Sequence, residues 1–212
     1  MKTIKQILSV ISAAVLCAVP LVNGFSASAA DTAQLKTYIV YNIAQTPDIG
    51  FFDFALNYTD DVIAERSRAT SLCSGFFFSI DRTAFNQVRT TFDGCVEDVG
   101  TLMSTKFLVP MNTKSIYEKV TYSEAIIRDL NGIAISPTSI TMDAVLLGDV
   151  DLNGVVNNKD AELIMNSIIN PDEYKLNTKQ KDAADVYSRG DGITGMDALT
   201  IQEYVQGQIA HF

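Results

Sequence analysis

Between Asp149 and Asp160 the chain reads DVDLNGVVNNKD, with oxygen-bearing side chains at Asp149, Asp151, Asn153, Asn157 and Asp160 and a glycine, Gly154, in the middle. These are the first, third, fifth, ninth, twelfth and sixth positions of a twelve-residue stretch. Oxygens at that spacing, a main-chain carbonyl at the seventh position (Val155) and a glycine for the sharp turn let a chain curl around one hard cation. Calcium, which takes six to eight oxygens, is the cation such a loop suits. The departure is Asp160, where most such loops carry Glu, and its shorter arm requires the following helix to sit closer to the ion. An acidic Asn/Asp/Gly turn with no ligand is the plain alternative, but it has no reason to match every position.

The elements around this loop repeat. After it, Ala161, Ile164 and Ile168 fall on one helix face, and Pro171 ends that helix. A short helix is expected over Thr178–Ala184. A second loop then runs from Asp185 to Asp197, and Ala198, Ile201 and Val205 follow Asp197 at the offsets at which the first stripe follows Asp160. This EF-hand-like loop is imperfect. Aligning Gly192 with Gly154 leaves two extra residues before the glycine and one fewer after it, thirteen in all. Asp185, Asp191 and Asp197 offer carboxylates, Ser188 a fourth side chain and Ile193 a carbonyl, for a second and more distorted calcium site. Val156 and Ile193 are expected to meet in a short strand pair joining the two loops.

The N-terminus reads as an address. Lys2 and Lys5 precede an apolar run from Ile7 to Val22, and Ala27-Ser28-Ala29 supplies small residues for cleavage, so residues 1–29 are expected to be a signal peptide and the protein secreted and extracellular. A membrane anchor fits less well because the run is short and holds Pro20. Without residues 1–29 the chain carries 14 basic and 25 acidic residues, which argues against nucleic acid or an anionic membrane as a partner. Cys73 and Cys95 then remain, and both a disulfide and two buried thiols fit an exported chain.

Residues 30–147 read as strands. Phe52, Phe54, Leu56 and Tyr58 alternate with Asp53, Ala55 and Asn57, the period of a half-buried strand. Further strands are expected at Tyr38–Tyr41, Gly75–Phe78, Val88–Phe92, Leu102–Val109, Glu118–Ile127 and Ile140–Leu147. Turn residues separate them at 46–48, 58–61, Asp93-Gly94 and Asn131-Gly132. Asp60–Ala69 reads as a helical turn. Many short strands without a long helical pattern indicate an all-β sandwich. No catalytic constellation stands out. Asp53, Glu65 and Glu97 show no spacing that marks a glycosidase pair, and the one histidine, His211, has no nucleophile to serve. There is no Trp to build a sugar-stacking row, although Phe76-Phe77-Phe78 must expose a ring if it is a strand.

Some of the wording resembles known modules. The stretch Asp48–Tyr58, the run Gly100–Phe107 and the turn Asp129-Leu130-Asn131-Gly132-Ile133 are similar to strands and turns of cohesins. Residues 148–212, with Gly148-Asp149-Val150-Asp151 opening the first repeat and Ala183-Ala184-Asp185-Val186 the second, resemble a dockerin, the module that plugs cellulosomal proteins into cohesins. Behind the signal peptide expected at 1–29, the resemblance implies a cohesin-like, Ig-like β-sandwich (30–147) and a small all-α dockerin with two calcium loops (148–212). It implies a non-catalytic scaffoldin-type adaptor serving polysaccharide breakdown. The dockerin would bind a scaffoldin cohesin, and the sandwich would recruit a dockerin-bearing enzyme or act only as a prop. Carried over from dockerins, the partner-binding residues are Asn158, Lys159, Met165 and Asn166 in the first repeat and Gly195, Met196, Gln202 and Glu203 in the second. A carbohydrate-binding accessory protein is the competing reading.

Overall fold

The structure is a computed structural model that describes residues 33–82, 85–123 and 125–212. The expected signal peptide lies outside the described residues. Among the described residues the nine strands are β1 (Leu35–Ala44), β2 (Ile49–Tyr58), β3 (Ile63–Ala69), β4 (Cys73–Arg82), β5 (Gln87–Val96), β6 (Gly100–Pro110), β7 (Val120–Tyr122), β8 (Ile126–Asp129) and β9 (Ile140–Leu146). They form two sheets, one in the order β3-β6-β1-β9, the other β4-β5-β2-β7 with β8 also on β2. Three short helices follow: α1 (Asn158–Ile169), α2 (Thr178–Ala184) and α3 (Gly195–Val205). The chain is thus a two-sheet β-sandwich followed by a small three-helix region.

Period-two patterning builds the sandwich. Phe52, Phe54, Leu56 and Tyr58 all point inward from β2 and are buried. The Phe52 ring stacks on Phe92 of β5 at 5.0 Å and on Phe54 at 5.5 Å. Burying each such side chain contributes about 1.5–3 kcal/mol, and Tyr58 carries the row across to Phe107 of β6 in the opposite sheet, ring to ring at 5.9 Å. From β1, Tyr38, Val40 and Ala44 join the same interior.

Four expectations change. Asp60–Ala69, read as a helical turn, contains strand β3, which pairs with β6. Its Glu65, Arg66 and Arg68 mark a charged edge strand, whose solvent side needs no alternation. Glu118–Ile127 is not one strand: a 3-10 turn at Ile116–Glu118 leads into β7, which ends at Tyr122, and β8 starts separately at Ile126. Asp93-Gly94, read as a turn, lies inside β5 because Gly94 faces Gly75 of β4 across the ladder. A Cβ on Gly94 would come 2.7 Å from the Gly75 Cα, so the glycine serves close approach of two backbones rather than a turn. Finally, Val156 and Ile193 pack on the helical core but lie in no strand.

The register also decides the cysteines. Cys73 faces Val96, and Cys95 faces Ser74, so the two thiols project from opposite faces of the sheet. Both are free, and burial pushes the Cys73 thiol up to about 11. An alkylating agent applied to the unfolded protein without reductant should therefore label both; a chain that takes up no label would mean they are bonded after all.

Each helix starts at a capping box: Asn157 with Asp160, Asn177 with Gln180, and Thr194 with Asp197. Ala161, Ile164, Ala184, Ala198 and Ile201 make the helical core, closed by Val150 and Leu176. Ile168, expected on the buried stripe, is instead exposed on α1. The helical region lies on the outer face of the β1–β9 sheet, and no spacer separates Leu146 from its first loop. Gly148 N–H already donates to the Ala183 carbonyl at 2.8 Å.

Candidate metal centre and binding faces

In the first loop, positive φ at Leu152 (61°) and Gly154 (89°) turns the chain back on itself. The turn is held by its own acids. Asp149 accepts the N–H of Asn153 at 2.9 Å and of Gly154 at 2.8 Å, one on each carboxylate oxygen. Asp151 accepts from Asn153 N at 3.1 Å and from the Asn153 side-chain amide at 2.8 Å. The Asn157 amide reaches the Val155 carbonyl at 3.1 Å. Asp160 takes Val150 N at 2.8 Å and Asp151 N at 3.1 Å on one oxygen, and Asn157 N at 2.8 Å on the other. The same carboxylate thus closes the loop and caps α1, which draws the helix start onto the site as the short Asp arm requires.

One carboxylate oxygen from each of Asp149, Asp151 and Asp160 lies within 4.8 Å of the others. Asp149 is 4% exposed and Asp160 is 0% exposed. Burial raises both carboxyls above the ordinary range, and repulsion from Asp151 adds to it; the backbone N–H donors pull the other way. Three converging carboxylates, two of them buried, beside amide and carbonyl oxygens form a donor set that fits a hard divalent cation.

The second loop follows the first with a register different from the one expected. Ser188 (φ 46°) and Gly190 (φ 108°) take the backbone places of Leu152 and Gly154, and Gly190 N donates to Asp185 at 2.8 Å as Gly154 N does to Asp149. Asp197 accepts Val186 N at 2.9 Å, Tyr187 N at 2.8 Å and Thr194 N at 2.8 Å, the pattern of Asp160. The turn glycine is therefore Gly190, and the extra residue falls after it, in Asp191-Gly192. Tyr187 and Arg189 stand where the first loop has Asp151 and Asn153. Ser188 occupies the place of Leu152, and Ile193 that of Val156. Asp185 has one buried carboxylate oxygen without a hydrogen-bond partner, and burial raises its carboxyl. Among the described residues, three acids converge on one point in the first loop only.

The expected partner-binding residues lie on α1 and α3. Asn158, Lys159, Met165, Gly195, Met196 and Gln202 are exposed, while Asn166 and Glu203 are half-buried. A Cβ on Gly195 would lie 4.0 Å from the Met165 sulfur, so the two sets adjoin across α1 and α3. Exposed Ile168, Ile169 and Leu199 extend the apolar part of this surface. Leu199 and Ile169 went unnoticed in the sequence because a search for the buried stripe passes over apolar residues off that stripe.

A second apolar strip lies on the sandwich. Phe77 points inward from β4 toward Phe52 and Phe92, while Phe76 (69% exposed), Phe78 (49%) and Ile80 (39%) line up outward. Of the carboxylates weighed for catalysis, Glu97 is exposed and the other two are tied elsewhere. Asp53 pairs with Arg89 (Nε to Oδ1 3.0 Å) on one sheet, and Glu65 with Lys106 at 3.0 Å on the other. His211 is exposed beside the last residue.

No family model matches this chain, and no curated protein is similar to it. Among solved structures, it is similar to one of the third ScaB cohesin of R. flavefaciens in complex with a group 1 dockerin. The identity is 37% over 30% of this chain and 90% of that chain, with a TM-score of 0.28. It is also similar to a non-cellulosomal cohesin from the hyperthermophilic archaeon Archaeoglobus fulgidus, at 18% identity over 49% of this chain and 75% of that chain, with a TM-score of 0.40.

Proposed function

We propose that this is an exported, non-catalytic assembly protein of the cellulosome type, an adaptor with a calcium-dependent plug at its C-terminus. The observation that carries this reading is the convergence of Asp149, Asp151 and Asp160 in a loop that also caps the first helix of a repeated loop-helix unit. Asp149, Asp151, Asn153, the Val155 carbonyl, Asn157 and Asp160 would hold one calcium, and Asp185, Asp191 and Asp197 supply acids for a second. Bound calcium would offset the charge repulsion of the loops and fix the helices that follow. The helical module then presents the joined surface of α1 and α3, Met165 and Met196 at its centre, to a cohesin module of a scaffoldin. The sandwich presents Phe76, Phe78 and Ile80 to a dockerin-bearing enzyme; a contiguous exposed apolar strip of this kind is a protein-binding feature.

The same strip favours a second reading. Two outward phenylalanines two positions apart on one strand are able to stack on sugar rings, which would make the sandwich a carbohydrate-binding accessory module. A binding panel separates the two. Immobilised cohesins, soluble dockerins and insoluble polysaccharides are tested with the wild-type chain and with Phe76→Ala/Phe78→Ala. Retention by a dockerin, lost in the variant, supports the adaptor. Retention by cellulose or xylan, lost in the variant, supports the accessory module. Failure to bind any cohesin in calcium sinks the plug. The purified protein should also release no reducing sugar from cellulose, xylan or starch, and turnover abolished by Asp53→Asn or Glu65→Gln would overturn the non-catalytic reading.

A further inference from the structure

The helical region covers a face that a free-standing sandwich would leave wet. Thr37 and Ile39 of β1 and Val145 of β9 point away from the sandwich interior, since the inward residues are Tyr38, Val40, Ala144 and Leu146. Yet Thr37 is 0% exposed, Ile39 6% and Val145 3%. Three sets of contacts hold the cover in place. At the tail, Leu35 N–H donates to the Ala210 carbonyl at 2.8 Å, Phe212 N–H to the Thr37 hydroxyl at 3.2 Å, and the Tyr204 hydroxyl to the Leu35 carbonyl at 3.1 Å. The Phe212 ring packs 4.6 Å from Tyr204 and fills the space beside Gly148, where a Cβ would meet it at 2.7 Å. Along β9, Lys179 of α2 pairs with Asp143 at 2.9 Å.

The third set comes from the second loop. Arg189 turns away from the loop interior and donates to the carbonyls of Asp182 at 2.7 Å and Asp185 at 3.0 Å, a cation on the C-terminal end of α2. Its other nitrogen reaches the Tyr41 hydroxyl of β1 at 2.9 Å and the Asp182 carboxylate, which also accepts from Tyr41. Burial and the hydrogen bond to Asp182 push the Tyr41 hydroxyl above its ordinary range, so it remains a donor. The residue that takes the fifth place of the irregular loop thus ties that loop to the sandwich.

We propose that the helical module and the β1–β9 side of the sandwich form one cooperative unit, with Tyr41, Asp182 and Arg189 as the link between the second loop and β1. Whatever orders the helices then also protects β1, and by reciprocity an intact β1 favours the ordered loops. The calcium arm of the idea rests on the reading given under Proposed function; the link itself does not.

The test is amide hydrogen exchange on the full chain, followed by mass spectrometry. In calcium, Tyr41→Phe and Arg189→Ala should each speed exchange roughly tenfold both at Leu35–Ala44 and at Thr178–Ala184, while Phe52–Leu56 of β2 stays protected. Tyr41→Phe keeps the ring and guards against a variant that fails to fold. Acceleration confined to the module that carries the substitution would overturn the link. In chelator, the helices and Leu35–Ala44 should lose protection together. Loss at the helices with β1 unchanged sinks the coupling. No change anywhere in chelator sinks the calcium reading instead, and the two substitutions still decide the link.

Discussion

In excess chelator the full chain should lose most of its helical circular dichroism at 222 nm and regain it on adding calcium. The helical core is small, centred on Ala161, Ile164, Ala198 and Ile201, and a unit of this size has little apolar burial to hold three short helices. Against it stand three carboxylates of the first loop, with oxygens within 4.8 Å of one another and two of the three acids buried. Burial holds the Asp149 and Asp160 carboxyls above the ordinary range, and repulsion from neighbouring acids adds to it. Binding free energy gained on closing such a site is folding free energy. Asp149→Ala together with Asp160→Ala should imitate the chelator. Each removes charge-assisted bonds worth about 1.5–3 kcal/mol, so calcium affinity should fall roughly 100-fold or more. Asp160→Ala also strips the cap of α1. Asp197→Ala alone should have a smaller effect, because it leaves the first loop whole. Helicity unchanged in chelator would sink the idea.

One of two alanine-substituted sets should abolish cohesin binding while the other leaves it nearly intact. The first set is Asn158, Lys159, Met165 and Asn166; the second is Gly195, Met196, Gln202 and Glu203. Identical repeats would let the module bind after a half-turn. Here Lys159 corresponds to Met196 and Asn166 to Glu203, so a surface complementary to one set meets an unmatched polar or charged group in the other. Truncating a central anchor such as an exposed methionine typically costs about 2–4 kcal/mol, roughly 30- to 700-fold in affinity. Gly195→Ala is safe as part of the second set, since its Cβ would have ordinary contact with Met165 at 4.0 Å. Equal, partial losses from both sets, measured by calorimetry, would show two interchangeable modes.

The first loop was legible because its ligands are local in sequence: the spacing from Asp149 to Asp160 carries the turn, the donors and the cap together. The first and last helices were legible through local stripes too, Ala161 with Ile164 and Ala198 with Ile201 at matching offsets from the two loops, whereas their caps showed only in the structure. The second loop was legible as a loop but misaligned, because three glycines, Gly190, Gly192 and Gly195, compete for one turn and only backbone hydrogen bonds decide which takes it. Strand β2 declared itself by alternation, whereas β3, exposed along its charged edge, carried no period to read. Gly94 looked like a turn because its partner Gly75 is nineteen residues away and meets it only in the folded ladder. Least legible was the contact of Tyr41 with Asp182 and Arg189, in which a tyrosine on one module meets an ordinary acid and base 141 and 148 residues further along. The sequence pattern separates the modules at Gly148; the packing joins them.

That the Leu35 amide bonds to the Ala210 carbonyl bears on tension. If a partner held the sandwich while another pulled on α1 and α3, the covalent crossing at Leu147-Gly148 would not carry the whole load. The tail strapped to β1 and the Tyr41–Arg189 tie lie in parallel with that crossing. Separating the modules would require several hydrogen bonds to fail together rather than one after another, so the assembly should resist a steady pull more stiffly than two beads joined by a string.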